Sequence, residues 1–170
     1  IPMRYNGNLL CPCNSGKKYK KCCKRVHDGL VDVKNALELM VSRYSAYAVG
    51  RCEYIIQTTH KSNEQFMHNV NVWFDEIEEF SSNTSFKQLI ILDYSEKEQE
   101  AFVTFQAKLH QNGNDFSLTE QSRFIKEDEK WYYQQAEIFE EIWKGIVKIL
   151  LAPAETKNEG GINRPLGKEN

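Results

Sequence analysis

The sequence lacks the features that would place it in a membrane or outside the cell. None of its apolar runs approaches the roughly 18 residues that a membrane helix needs, and no signal peptide is visible. It has five cysteines, an odd count that does not suit a disulfide framework. Its hydrophobic content of 41% and charged content of 27% are typical of a globular protein in water. We therefore expect a cytoplasmic protein that makes no membrane contact.

Four of the five cysteines lie close together, at Cys11, Cys13, Cys22 and Cys23. This spacing suits one tetrahedral ion, and Zn²⁺ prefers thiolates, with Zn–S bonds of about 2.3 Å. Disulfides would need an oxidising compartment, and a redox dithiol usually shows Cys-x-x-Cys beside a βαβ pattern, which is absent here. So short a segment gives little shelter to an iron–sulfur cluster. The spacing favours one zinc ion per chain over free thiols or disulfides.

The residues between the two cysteine pairs fit a metal site. Residues 14–16, Asn-Ser-Gly, predict a turn whose N–H groups can point at thiolates. Residues 17–21 predict one helical turn that carries the second pair, and His27 is a spare candidate ligand. Four thiolates and Zn²⁺ sum to a charge of −2, which the neighbouring lysines offset. Those lysines are Lys17, Lys18, Lys20 and Lys21.

The run over residues 11–23, C-P-C-N-S-G-K-K-Y-K-K-C-C, resembles the SEC-C motif. This motif is a zinc-binding finger at the C-terminus of the SecA translocase and in several bacterial proteins. The resemblance implies a finger over residues 8–28. Asn14 stands where the family usually has Gly, and Asn is the next-best residue for a left-handed turn, so the fold of the finger is kept.

Charge is distributed unevenly along the chain. Residues 1–29 carry seven Lys or Arg against one acid, which gives +6, and because the whole chain is −2 the other 141 residues sum to −8. A basic finger on an acidic body predicts contact with an acidic protein or with nucleic-acid phosphate. Base readout is not expected, because no helix of useful length follows the cysteines. Alternatively, the lysines only balance the thiolates and keep the module in solution.

Hydrophobic periodicity predicts helices followed by strands. The predicted helices cover residues 33–48, 53–59 and 62–80, and the predicted strands cover 87–94, 100–109, 117–126 and 131–134. Gly50 is expected to end the first helix. The polar residues 62–65 are expected to cap the third helix, with Phe66 on its apolar face. A further amphipathic helix is expected over 138–151, where an exposed apolar face would favour a homodimer. Residues 152–170 predict a flexible tail. Helices followed by an antiparallel meander indicate an α+β fold with helices laid across one face of the sheet.

A second set of residues resembles the YchJ-like family of bacterial SEC-C proteins. Its parts are S-R-Y-S-A-Y at 42–47, T-H at 59–60, E-Q-S-R-F at 120–124 and W-Y-Y at 131–133. The resemblance implies a domain similar to nuclear transport factor 2, or cystatin-like, over residues 30–151: a cone-like antiparallel sheet wrapped by three helices. Family members often carry a second, C-terminal finger, but residues 139–170 contain no cysteine.

The cone contains polar residues that could form a pocket. Because strand side chains alternate, Glu120, Ser122 and Phe124 share one face, and under the helices Glu120 and Ser122 would need partners such as Arg43 or His60. One hypothesis is a small-molecule pocket in which Glu120 or His60 is a general base, and the other is a structural ion pair. The remaining pocket candidates are Tyr44, Tyr47 and Arg123.

The sequence therefore favours a zinc-binding protein-interaction module over an enzyme. By resemblance to the SecA tail, the four lysines would meet an acidic partner such as a chaperone or the ribosome, with nucleic acid as the less favoured partner. The alternative is an enzyme or ligand-binding protein that uses the pocket of the cone.

Overall fold

The structure is a computed structural model that describes residues 5–138. The predicted helix over 138–151 and the tail over 152–170 lie outside the described residues, so the homodimer that the helix suggested stays a prediction. A short 3-10 turn, Tyr19–Lys21, precedes all other elements. The helices are α1 (Cys23–His27), α2 (Ala36–Val49), α3 (Cys52–Gln57) and α4 (Val70–Ser82). The strands are β1 (Thr84–Glu96), β2 (Glu100–Gln111), β3 (Asn114–Glu127) and β4 (Lys130–Ile138).

Helices α2 and α4 both begin at an asparagine that caps them. The Asn35 side chain accepts from the N–H of Glu38 at 2.9 Å, and Asn69 accepts from the N–H of Val72 at 3.2 Å. Such caps satisfy N–H groups that have no partner within the helix. Gly50 ends α2 with φ 85°, as the sequence predicted.

The prediction that the third helix starts at residues 62–65 is wrong, because α4 begins only at Val70. The polar side chains expected to cap it are used elsewhere. The Ser62 hydroxyl bonds to His60, and Asn63 donates to the carbonyl of Gln134 at 2.7 Å. These contacts attach the segment to β4. Phe66 still packs on Trp73, with ring centroids 5.1 Å apart, so its predicted place in the core is kept.

The sheet is a four-stranded antiparallel meander in the order β1-β2-β3-β4. Two-residue turns join β2 to β3 and β3 to β4, and all four of their residues have positive φ. That geometry matches the natural twist of a hairpin. Asn112-Gly113 is a common sequence for it, whereas Asp128-Glu129 adopts it without glycine.

One face of the sheet is apolar and lies under the helices. Val103, Phe105 and Ala107 of β2 are buried, and Phe124 of β3 is 0% exposed. They pack with Leu39 and other residues of the helices in one core cluster. The predicted α+β fold, a cone-like sheet wrapped by helices with a finger at its N-terminus, is confirmed. Among the described residues, no helix has the length and apolarity that a bilayer crossing requires.

The finger packs directly on helix α2. Cys11, Tyr19 and Cys23 form a small buried cluster with Val49. Tyr19 is 0% exposed, as completely buried as any residue of the main core. The finger is therefore attached to the cone by a packed contact as well as by the chain.

Candidate functional site

The structure brings together the sulfur atoms of Cys11, Cys13, Cys22 and Cys23. All four lie within 4.8 Å of one another, and the sulfurs of Cys13 and Cys22 are 3.5 Å apart. In a tetrahedral site with Zn–S bonds of about 2.3 Å, the sulfurs would be about 3.8 Å apart. The cluster therefore has the size and the soft donor set that a structural metal ion requires.

The first cysteine pair is positioned by a tight turn and a short hairpin. Asn14 has φ 68° and Gly16 has φ 86°, the left-handed conformations that the sequence predicted there. The N–H of Cys11 donates to the carbonyl of Lys17 at 2.8 Å, and Leu10 pairs with Lys18 across the hairpin. This hairpin turns the first pair toward the second.

The second pair lies where the 3-10 turn meets helix α1. Cys22 is the residue between these two elements, and Cys23 is the first residue of α1. The helical turn predicted over residues 17–21 is thus a 3-10 turn of three residues followed by a separate short helix. The Ser15 hydroxyl lies 3.2 Å from the Cys22 sulfur, so the turn also contributes a polar contact to the cluster.

Electrostatics in the cluster favours bound cations. Hydrogen bonds from the side chains of Cys13 and Cys23 lower the pKa of the Cys11 thiol to about 3, whereas the pKa of the Cys23 thiol is raised, chiefly because it donates to Cys11. One thiolate thus depends on the protons of its neighbours. If all four thiols lose their protons, a cation must balance the negative charge of the thiolates. The cluster therefore fits a metal ion electrostatically as well as in size.

A buried hydroxyl outside the finger also points to charged sulfur. Ser45 of α2 is 0% exposed, and its hydroxyl has no hydrogen-bond partner among residues 5–138. It is close enough to the Cys23 sulfur to oppose the rise in the pKa of that thiol, which Cys11, Cys13 and burial cause. A metal-bound thiolate is the acceptor that would satisfy it. Sequence reasoning did not find Ser45, because nothing in the chain order joins it to the cysteines.

His27 is engaged with the protein on both ring nitrogens. Its Nδ1 lies 2.7 Å from the Tyr19 hydroxyl, and its Nε2 lies 2.8 Å from the carbonyl oxygen of Ser42. Because a carbonyl only accepts, Nε2 carries the proton, and Nδ1 accepts from Tyr19. Burial lowers the pKa of His27 to about 4. The idea that His27 is a spare metal ligand is therefore wrong, since it connects the finger to α2.

The four predicted partner-binding lysines lie in the segment that joins the two cysteine pairs. Lys17, Lys18, Lys20 and Lys21 are all exposed, and within the described part of the chain none of them forms an ion pair. Lys24, by contrast, pairs with Asp28 at 2.7 Å. The four lysines thus present uncompensated positive charge to solvent.

The pocket candidates of the cone divide into an inner and an outer group. Arg43 is 6% exposed, and its Nη1 donates to the carbonyl of Ile55 and to the hydroxyls of Thr58 and Thr59. Its guanidinium also lies 4.5 Å from the ring centroid of Tyr133. Arg43 is thus held by neutral groups. The expected ion pair between Arg43 and Glu120 is absent among the described residues.

Glu120 and Ser122 lie on the inner face, next to the buried Phe124, as the alternation predicted. Burial raises the pKa of Glu120 to about 7, against a hydrogen bond from Ser122 that lowers it. Burial raises the pKa of Tyr47 and of Tyr133; the negative charge of Glu120 adds to this effect, and the positive charge of Arg43 opposes it. The inner group therefore has an arginine and a carboxyl near the same two tyrosines. Tyr44 is buried as well, packed edge-on against Phe86.

The structure places His60 and Arg123 outside this group, so their assignment to a pocket is corrected. The Nε2 of His60 lies 2.6 Å from a carboxylate oxygen of Glu127, and Arg123 pairs with Glu100 at 2.7 Å. Arg123 alternates with Ser122 and so lies on the outer face of β3. His60 follows α3 at the end of the sheet where the turn joins β3 to β4. Its backbone N–H donates to the carbonyl of Tyr133. Neither side chain reaches Glu120.

Comparison with family models matches both parts of the chain. Residues 35–136 match the model of the middle NTF2-like domain of YchJ, and residues 8–25 match the SEC-C motif. A UPF0225 protein of Vibrio parahaemolyticus is 32% identical over 123 residues, which cover 72% of this chain and 71% of the relative. Another, from Bordetella pertussis, is 33% identical over 131 residues, covering 75% and 92%.

Two solved structures of SEC-C motif containing proteins are similar over 76% of this chain. The solution structure of RPA3114 from Rhodopseudomonas palustris has 30% identity and a TM-score of 0.66, with 98% of that chain covered. The crystal structure of the protein from Psychrobacter arcticus has 24% identity and a TM-score of 0.63, with 82% covered, and shows the shared fold. The chain therefore belongs to the YchJ-like UPF0225 family, and it joins a SEC-C motif to an NTF2-like domain.

Proposed function

We propose that this protein is a zinc-binding protein-interaction module whose finger binds an acidic protein partner. The observation that carries the proposal is a set of four exposed lysines, none of them in an ion pair within residues 5–138, in the loop that joins the two pairs of a four-cysteine cluster. Uncompensated positive charge attracts an acidic surface, and a rigid, metal-closed loop keeps that charge in a fixed arrangement. None of the five cysteines, all of which lie within residues 5–138, forms a disulfide, and this supports a reducing compartment such as the cytoplasm.

The proposed metal is one Zn²⁺ per chain, held by Cys11, Cys13, Cys22 and Cys23. Bound there, the ion would supply a structural crosslink and the charge that lets all four thiols ionise. Two sulfurs are buried and two are half-buried, which suits a closed structural site better than an exchanging one. The lysines also offset the charge of −2 that a Zn²⁺ ion with four thiolates carries.

The test is capture of partners by immobilised, zinc-loaded protein. The variant reverses the charge of Lys17, Lys18, Lys20 and Lys21 to Glu, and its zinc content is measured first. The matched control reverses Lys61, Lys97, Lys108 and Lys130, four exposed lysines that belong neither to the finger nor to the residues around the cavity beside it. The proposal expects acidic proteins to be captured by the wild type and the control and lost by the finger variant. Equal capture by all three proteins, with zinc retained, would reject it.

The inner group of the cone supports a second candidate, a site for a small anionic ligand. Arg43 is buried, has no acidic partner among the described residues, and lies against Tyr133, near which Glu120 also lies. However, the cavity of about 360 Å³ found among the described residues lies at the finger instead. This candidate expects a small carboxylate such as benzoate to shift the NMR signals of Arg43 and Tyr133, and to lose that effect in Arg43→Met. Unchanged spectra at high benzoate would remove it.

A further inference from the structure

A cleft of about 360 Å³ separates the finger from the beginning of the sheet. One wall consists of finger residues and of Tyr5, which precedes the finger in the chain. The other wall consists of the end of α2 and the first residues of β1. The finger wall contains Tyr5, Leu10, Cys11, Pro12 and Asn14, and the cone wall contains Ala48, Thr84, Ser85, Phe86 and Lys87. Its volume is at the small end of ligand pockets, enough for one or two side chains of a larger partner.

The cone wall includes the open edge of the sheet. β1 pairs with β2 on one side only, and no other described strand pairs with it. Within residues 5–138 no strand pairs with the outward N–H and C=O groups of β1 next to the cleft, so an extended chain can bond to them, since open strand edges bind peptides by adding a strand. A register shift between Phe86 and Gln88 leaves Lys87 without a partner residue in β2. Such a bulge redirects the side chain, and Lys87 lines the cleft.

The finger wall supplies an apolar surface that the fold leaves uncovered. Leu10 is 62% exposed, and the neighbouring Leu9 is 52% exposed. Across the cleft Phe86 and Ala48 are only half-buried. An apolar side chain placed between these groups would bury surface on both walls, and burial of apolar surface is the main favourable term in association.

Apart from the thiolate of Cys11, a proposed metal ligand, the charge that lines the cleft is positive. None of its ten lining residues is acidic, and Lys87 is exposed. The backbone of Lys17 pairs with that of Cys11, and the backbone of Lys18 pairs with that of Leu10. These two lysines therefore lie directly beside the finger wall of the cleft. An occupant with acidic residues beside an apolar one would match both the charge and the surface of this site.

We infer that this cleft binds an extended acidic peptide segment of a protein partner, paired to the open edge of β1 with an apolar side chain placed between Leu10 and Phe86. The inference rests on the proposed function, because it specifies how the finger meets its acidic partner. It differs from a purely electrostatic contact in requiring Leu10 and the edge of β1 as well as the lysines.

The test selects random seven-residue peptides displayed on phage against the zinc-loaded full chain, and measures the enriched peptides by fluorescence anisotropy. The cleft variants are Leu10→Asp and Ser85→Trp, where Ser85 is an exposed residue of the cone wall. The matched control is Val70→Asp, because Val70 is 52% exposed at the start of α4 and belongs neither to the cleft nor to β1. Zinc content and circular dichroism establish that each variant is folded. If Leu10→Asp loses zinc, the inference is judged on Ser85→Trp alone.

We expect enriched peptides to combine acidic residues with a leucine or similar apolar residue. Their affinity should fall at least tenfold in both cleft variants and remain unchanged in Val70→Asp. No enriched sequence, or enriched peptides that bind the cleft variants as well as the wild type, would overturn the inference. Unaffected cleft variants together with loss of partner capture on reversal of the finger lysines would leave the proposed function standing alone. The converse result, in which the cleft variants lose peptide binding but reversal of the finger lysines leaves partner capture unchanged, would reject the proposed function and the part that the inference gives to the lysines.

Discussion

The hydroxyl of Tyr19 lies 2.7 Å from Nδ1 of His27, inside the contact between the finger and helix α2. The Nε2 of the same ring bonds to the carbonyl of Ser42, whose own hydroxyl lies 2.8 Å from that of Tyr54. Buried polar groups need such partners, and here the partners belong to the finger, to α2 and to α3. The chain of hydrogen bonds therefore fixes how the metal-binding segment sits on the cone.

Replacing Tyr19 with Phe should destabilise the protein by about 1–3 kcal/mol, because Nδ1 of the buried His27 loses its donor. Urea unfolding measures this free energy. The matched control is Tyr5→Phe, since the Tyr5 hydroxyl also bonds within the finger, to the carbonyl of Leu10, but at an exposed position. We expect a clearly smaller loss there. Equal losses in the two variants would show that the contact with His27 has no special weight.

The buried imidazole of His27 should make stability depend on pH. Burial lowers its pKa from 6.5 to about 4, so between these values the unfolded chain binds more protons than the folded one. The stability is complete above pH 6.5 and is lost as the pH falls toward 4. Between pH 7.5 and 5 the loss is about 2 kcal/mol. Unfolding of wild type and His27→Gln at both pH values isolates this effect, and parallel losses in the two proteins would contradict it.

The ionisation of Glu120 should make folding stability depend on pH in the direction opposite to that of His27. Burial raises its pKa from 4.5 to about 7, so the folded state holds its proton longer and stability falls as the pH rises from 4.5 through 7. Glu120→Gln should therefore stabilise the protein at pH 8 relative to pH 5, by at most about 2 kcal/mol because the side chain keeps some solvent contact.

Glu127→Gln serves as the control for that experiment. Its carboxylate accepts a hydrogen bond from His60, which lowers the pKa of Glu127, so its replacement should cost stability at neutral pH. Melting temperatures of the two variants at pH 5 and 8 give the comparison. A shift of the same sign in both would rule out a specific effect of the inner face.

The fold could largely be predicted because its signals are local. Gly50 ends α2, and alternation along β2 and β3 places Phe105 and Phe124 on the buried face. The start of α4 could not be predicted, because the side chains of Ser62 and Asn63 can either cap a helix or bond to a distant residue. In the structure both bond to Gln134, which is 71 residues after Asn63 and 72 after Ser62. Only the tertiary contact with Gln134 decides between these outcomes.

The candidate site was predictable only in part, for the same reason. The cysteine spacing is local, so all four candidate ligands could be named from the sequence, and so could the turn at Asn14. Long-range partners could not. Nothing in the sequence shows that Ser45 faces Cys23 or that His60 pairs with Glu127 in place of Glu120.

Metal removal should loosen more than the finger. Because Tyr19 and His27 pack on α2, a chelator should expose amide hydrogens in α1 and in the second half of α2 while β2 and β3 stay protected. Hydrogen exchange followed by mass spectrometry resolves these segments. Exchange confined to residues 8–28 would show that the finger opens without affecting the cone.

The most direct measurement is the metal content of protein purified without chelator, for wild type and for Cys22→Ser. Elemental analysis by mass spectrometry should find one zinc per wild-type chain and much less in the variant, because a closed site loses affinity when one of its four thiolates is removed. The control is Cys52→Ser, since Cys52 is buried in the cone away from the cluster and should leave the zinc content unchanged. Wild-type protein without metal, or with iron in place of zinc, would contradict the central claim that a zinc ion closes the finger.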